Sequence, residues 1–123
     1  AVICGVPLLD MFRYAKLLAG ASWVDEYGDP DNPEEWEFIR KYSPYQHLKE
    51  GTEYPEVFFY TSTKDDRVHP GHARKMAKKM TDIGSAIVYY ENTEGGHAGT
   101  SNIDQFSFLL ALQLAYLEDK LMN

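Results

Sequence analysis

Cysteine is nearly absent from the 123 residues: Cys4 stands alone, set in an apolar run. A single thiol excludes an intramolecular disulfide framework and a multi-thiolate metal site, and it predicts a free, buried side chain that says little about compartment. No uninterrupted apolar run approaches the length of a membrane span, and no basic-then-apolar signal segment opens the sequence. Positive charge is also short, with 12 Lys and Arg against 19 Asp and Glu for a net charge of −7, which argues against broad nucleic-acid binding. Repeats and low-complexity tracts are missing, and so is any G-x-S-x-G element: Ser22, Ser43, Ser62, Ser85, Ser101 and Ser107 all lack the flanking glycines of a nucleophile elbow.

What is present is a globular composition, 44% hydrophobic and 14% aromatic, in a chain long enough for one domain with a real core. Acids gather in residues 25 to 53, while Arg74, Lys75, Lys78 and Lys79 crowd one predicted helix, whose basic face reads as a solvated surface. "AVICGV" is a β-leaning run with no turn, cap or methionine before it. It predicts a buried strand at residue 1, and hence a chain that is a fragment with an upstream portion missing.

The pattern then alternates. "LLDMFRYAKLL" has apolar residues at helical spacing, and "GDPDNPEEWEFIRKYSP" leads into a short helix with Asn32 as N-cap and Pro33 at its first position. "PEVFFYTS", residues 55 to 62, predicts a strand buried on both faces, followed by a helix in "HPGHARKMAKKMTDIG" that stops at Gly84. "SAIVYYE" predicts a third strand, and residues 103 to 122 a long helix with Ile103, Phe106, Leu110, Leu114, Leu117 and Leu121 along its apolar stripe. This order implies an α/β fold of about three parallel strands with covering helices. Sites in such sheets gather at the carboxyl ends of the strands, which places "KDDR" and "GGH" on the same rim.

A histidine acts as a general base near neutral pH when a carboxylate fixes its tautomer and orientation. On spacing, Asp65 or Asp66 supplies that carboxylate and His97 the imidazole, with Gly95, Gly96 and Gly99 giving the loop room to bend. The bland alternative makes the aspartates a turn or capping device and His97 a plain loop residue. His69 and His72 have H-x-x-H spacing but no third ligand cluster, so no metal is expected.

"GVPLLDM", "AGASWVDEYGDP", "IRKYSPYQHL", "YPEVFFYTSTKDDRVHPGHARKMA" and "YYENTEGGHAG" carry a resemblance over essentially all 123 residues. The chain resembles the C-terminal end of the catalytic domain of prolyl oligopeptidases, serine peptidases of the α/β-hydrolase fold. "SWVDEYGDP" with "KYSPY" favours that branch over the dipeptidyl peptidase and acylaminoacyl peptidase branches. The resemblance implies that residues 1–123 are one segment of an α/β-hydrolase catalytic domain, that Asp65 orients the histidine, and that His97 is general base and later acid. It implies that Arg67 hydrogen-bonds a substrate carbonyl and that Trp23, Tyr27 and Leu8 line a proline pocket. A peptide substrate is implied, with no cofactor, no nucleic acid and no membrane.

The family's serine elbow, oxyanion donors and β-propeller are absent from these residues. The fragment alone is therefore expected to show no turnover, and to self-associate or pair with the missing upstream part. Rival readings are an esterase or acylaminoacyl peptidase using the same triad, and a non-catalytic α/β interaction module.

Overall fold

The computed structural model describes residues 1–122. Three parallel strands, β1 (Val2–Gly5), β2 (Val57–Ser62) and β3 (Ile87–Asn92), form one sheet in the order β1-β2-β3. The register sets Cys4 opposite Phe59 and Phe59 opposite Tyr89. Among the helices are α1 (Val24–Tyr27), α2 (Pro33–Ile39), α3 (Pro44–His47), α4 (Gly71–Asp82) and α5 (Ile103–Leu121).

Side chains alternate across a strand, so the central strand β2 serves two cores at once. Val57 and Phe59 face α4, packing with Met76, Ala77 and Met80, and Cys4, Ile87 and Tyr89 join them from the neighbouring strands. Phe58 faces the other way, its ring 5.5 Å from that of Tyr116 on α5. Helix α4 ends where Ile83 and Gly84 donate to the Lys79 and Thr81 carbonyls, and Gly84 takes a φ of 84° that any other residue would adopt only under strain. Helix α2 starts as its sequence predicts: Asn32 Oδ1 accepts the Glu34 N–H at 3.0 Å, with Pro33 at the first position.

Three expectations are corrected. "LLDMFRYAKLL" does not form a helix; residues 7 to 10 are irregular, and two short 3-10 turns follow at Tyr14–Lys16 and Leu18–Trp23. The backbone there is claimed by other elements: Asp10 N–H donates to His72 Nδ1, Met11 N–H to Ser43 Oγ, and the Leu9 carbonyl accepts from Tyr45 N–H. Leu18 then breaks any helical course with a φ of 50°. The second correction concerns α5, where Ile103, Phe106, Leu110, Leu114 and Leu121 point outward. The buried positions are Leu109 and Tyr116, whose hydroxyl donates to the Glu56 carbonyl at 2.9 Å. The helix is apolar around much of its girth, so periodicity alone could not say which stripe meets the sheet. The third concerns β1, expected to be a buried strand: Val2 is exposed and Cys4 only half-buried, though burial still raises the Cys4 thiol pKa.

A charged clamp ties α4 and the loop after β2 to β3. Glu91 accepts from Arg74, from Thr63 Oγ1 at 2.5 Å and from the Tyr89 hydroxyl at 2.7 Å. The Arg74 hydrogen bonds, foremost, outweigh burial and hold the Glu91 carboxyl at a pKa of about 2. A carboxylate depressed in the folded state contributes stability above its unfolded pKa and loses it as pH falls toward the folded one. Thermal melts of the full-length protein with and without Glu91→Gln should therefore differ at pH 6 and converge between pH 4.5 and about 2. A gap independent of pH would rule the clamp out.

Candidate active site

The loops leaving β2 and β3 meet at one end of the sheet, the carboxyl end at which ligands gather in open α/β folds. Asp65, three residues beyond the last position of β2, has a fully buried carboxylate. Its Oδ1 accepts the backbone N–H groups of Arg67 and Val68, both at 2.9 Å. Its Oδ2 lies 3.0 Å from His97 Nδ1, with Oδ1 at 3.1 Å. Asp66 is exposed and takes no part in this contact. The imidazole is 37% exposed, so one edge rests on a buried anion while the other reaches solvent. With Nδ1–H donating to the carboxylate, Nε2 is left as an acceptor, and among the described residues it has no protein partner.

The histidine loop is held from beneath by residues that sequence reasoning missed. Asn92, buried at the end of β3, accepts the Glu94 and Gly95 N–H groups on Oδ1 at 2.8 Å each and donates from Nδ2 to Gln105 at 2.9 Å. Buried Ser62, on β2, donates its hydroxyl to the Gly95 carbonyl. The readable signal was an asparagine ahead of "TEGG", the pattern of a side chain that folds back on its own turn. Gly95 is required there, because a Cβ would come within 2.7 Å of the Thr100 nitrogen.

Beside His97 opens a cavity of about 290 Å³ lined by Leu8, Trp23, Glu26, Tyr27, Arg67, Val68 and His97. The structure thus gathers Leu8, Trp23, Tyr27, Arg67 and His97 around one hollow, with Asp65 on the imidazole and Asp66 outside the lining. Glu26 and Val68 were not foreseen. Trp23 ends the second 3-10 turn and Tyr27 ends α1; the four-residue step between them turns both rings toward the hollow. Behind Tyr27 stands Tyr14, fully buried, edge-on at 5.7 Å with its hydroxyl bonded to the Gly28 carbonyl. Neither histidine of the H-x-x-H pair is drawn to this site: His69 Nδ1 accepts the Gly71 N–H, and His72 Nδ1 accepts that of Asp10.

The sequence profile of the prolyl oligopeptidase family matches residues 1–123. The chain belongs to that family. It is 53% identical over all 123 residues to an uncharacterized peptidase of Sinorhizobium fredii, of which it covers 17%. It is 38% identical over 118 residues to a prolyl endopeptidase of Elizabethkingia meningoseptica, with 86% of the chain and 17% of the relative covered. In structure it superposes on oligopeptidase B of Trypanosoma brucei with a TM-score of 0.87 at 20% identity, over 95% of this chain and 17% of that one. The chain therefore spans about a sixth of the length of these proteins, and its fold is the C-terminal part of an oligopeptidase α/β-hydrolase domain. Within that prolyl oligopeptidase frame, the 123 residues hold an acid, an imidazole and an aromatic hollow, and no elbow serine.

Proposed function

We propose that these residues form the acid–base and specificity part of a serine peptidase that cleaves short peptides on the carboxyl side of proline. The observation that carries this reading is the buried Asp65 carboxylate on His97 Nδ1, with the free Nε2 edge beside a hollow floored by Trp23 and Tyr27.

The chemistry follows from that arrangement. A serine hydroxyl from outside these residues attacks the scissile carbonyl as His97 Nε2 removes its proton. The imidazolium so formed is stabilised by Asp65, which keeps its charge and accepts no proton. His97 then protonates the departing amine and, in the second half, activates the water that releases the acyl group. Arg67, at the lip of the hollow, supplies a hydrogen bond to a substrate carbonyl, and the Trp23 indole offers a flat apolar face to the pyrrolidine ring of the residue before the cut. The 38% identity to a prolyl endopeptidase supports this substrate class.

The test uses the full-length enzyme with paired chromogenic peptides that differ only in proline or alanine before the reporter, together with a simple ester. Selective hydrolysis of the proline peptide is expected. Equal rates on both peptides would reject the post-proline specificity, and turnover of the ester alone would mark an esterase. The 123 residues by themselves should turn over none of the three.

A further inference from the structure

Resting on the post-proline reading, and adding a residue to it, we infer that buried Asp10 is a positioning residue that fixes the spacing between the two walls of the substrate hollow. One wall, Leu8, comes from the segment after β1; the other, Arg67 and Val68, comes from the segment after β2. Neither Asp10 nor His72 lines the hollow. Asp10 lies two residues beyond Leu8, and His72 four residues beyond Val68.

Asp10 is 1% exposed, and its bonds reach two helices, α3 and α4, as well as Arg13 of its own segment. Its N–H donates to His72 Nδ1 at 3.1 Å, in the first turn of α4. Its Oδ2 is paired with Lys75, one turn further along, and more loosely with Arg13 at 3.5 Å. Its Oδ1 accepts from Gln46 Nε2 of α3 at 2.7 Å. Burial alone would raise the Asp10 carboxyl, but the hydrogen bonds from Lys75 and Gln46 prevail and hold it below the usual carboxylate range. His72 is as deeply buried, and desolvation lowers its pKa to about 4, so it is a neutral ring whose Nδ1 accepts and whose Nε2 carries the proton.

A buried carboxylate of this kind is a poor general source of stability, since its desolvation offsets much of its pairing. Its particular consequence is geometric. The Leu8–Asp10 segment has no helix or strand of its own, so its position relative to α4 is set by these bonds, by those of residues 9 and 11 to Tyr45 and Ser43, and by Leu9, which packs in one core cluster with Met76, Ala77 and Met80. The Asp65–His97 pair is anchored separately, by the Arg67 and Val68 amides and by Asn92. Loosening Asp10 therefore widens the hollow while the acid–base pair stays in register.

The full-length enzyme tests this with Asp10→Asn, His72→Phe and His72→Asn, the last keeping an acceptor where Nδ1 was. Asp10→Asn and His72→Phe should each lower kcat/KM for the proline peptide about tenfold, mostly through KM, with p-nitrophenyl acetate turnover within about twofold of the parent. His72→Asn should recover most of the loss. Should His72→Phe fail to fold, Gln46→Met at the rim of the same cluster should give a smaller KM rise on the peptide alone. Equal losses on peptide and ester, no rescue by His72→Asn, or unchanged kinetics would each overturn the inference. A parent enzyme that prefers a residue other than proline would reject the substrate reading alone, and the same comparison would then be made on its preferred peptide.

Discussion

Asp65→Asn should lower kcat of the full-length enzyme by about 10⁴-fold with little change in KM. The size of the effect comes from how the carboxylate is held. Its Oδ1 accepts two backbone N–H groups, from Arg67 and Val68, while Oδ2 makes the shorter contact to His97 Nδ1. An asparagine fits the same space, but the two amides demand an acceptor, so its single carbonyl oxygen stays on the loop side. Its NH₂ group then faces the imidazole. Two donors cannot share one contact, and His97 answers by moving its proton to Nε2. The lone pair that should take the serine proton is gone, although the loop, the hollow and the fold are unchanged. A melting curve matching the parent, together with the collapse in kcat, checks this account; a loss below about tenfold would remove Asp65 from the mechanism.

The same carboxylate shows why spacing alone could not choose between Asp65 and Asp66. The competing roles were a turn device for the following loop and a partner for the histidine, and Asp65 performs both, one with each oxygen. What was legible was local and strongly patterned: the buried run of β2, the Asn32 cap, the Gly84 stop, and the strand-tip position of both loops. Residues 8 to 18 misled because helical spacing of apolar groups is a weak signal where distant side chains claim the backbone, as His72 and Ser43 do at Asp10 and Met11. Helix α5 misled for the opposite reason, an excess of apolar positions that left its buried side undetermined. Asn92 and Ser62 escaped notice because their work is second-hand: they bond the loop that carries His97 and never touch the imidazole. Val68 was hidden by its neighbours, an ordinary apolar residue after a run of four charged ones, whose place in the hollow follows from the turn that Asp65 imposes.

Trp23→Ala should reduce kcat/KM for the proline peptide by 10- to 100-fold, on the order of 1.4 to 2.7 kcal/mol, and that for the alanine peptide by less than about threefold. Trp23 lines the hollow together with Leu8 and Tyr27, and a pyrrolidine ring laid on its indole face buries several methylenes that an alanine side chain does not possess. Tyr27 cannot move in to replace it. Its ring is braced edge-on by Tyr14, which has no exposed surface, and its carbonyl accepts the Tyr42 hydroxyl at 3.2 Å. The truncated side chain therefore leaves open space where the proline ring would sit, and the loss falls on the substrate that used that face. Trp23→Phe, which keeps a smaller flat ring, should fall between the parent and the alanine variant. The discriminating measurement is the ratio of the two kcat/KM values rather than either alone, because a general disturbance of His97 would depress both peptides equally. An unchanged ratio with both rates lowered would mean that Trp23 supports the imidazole and does not select the residue before the cut.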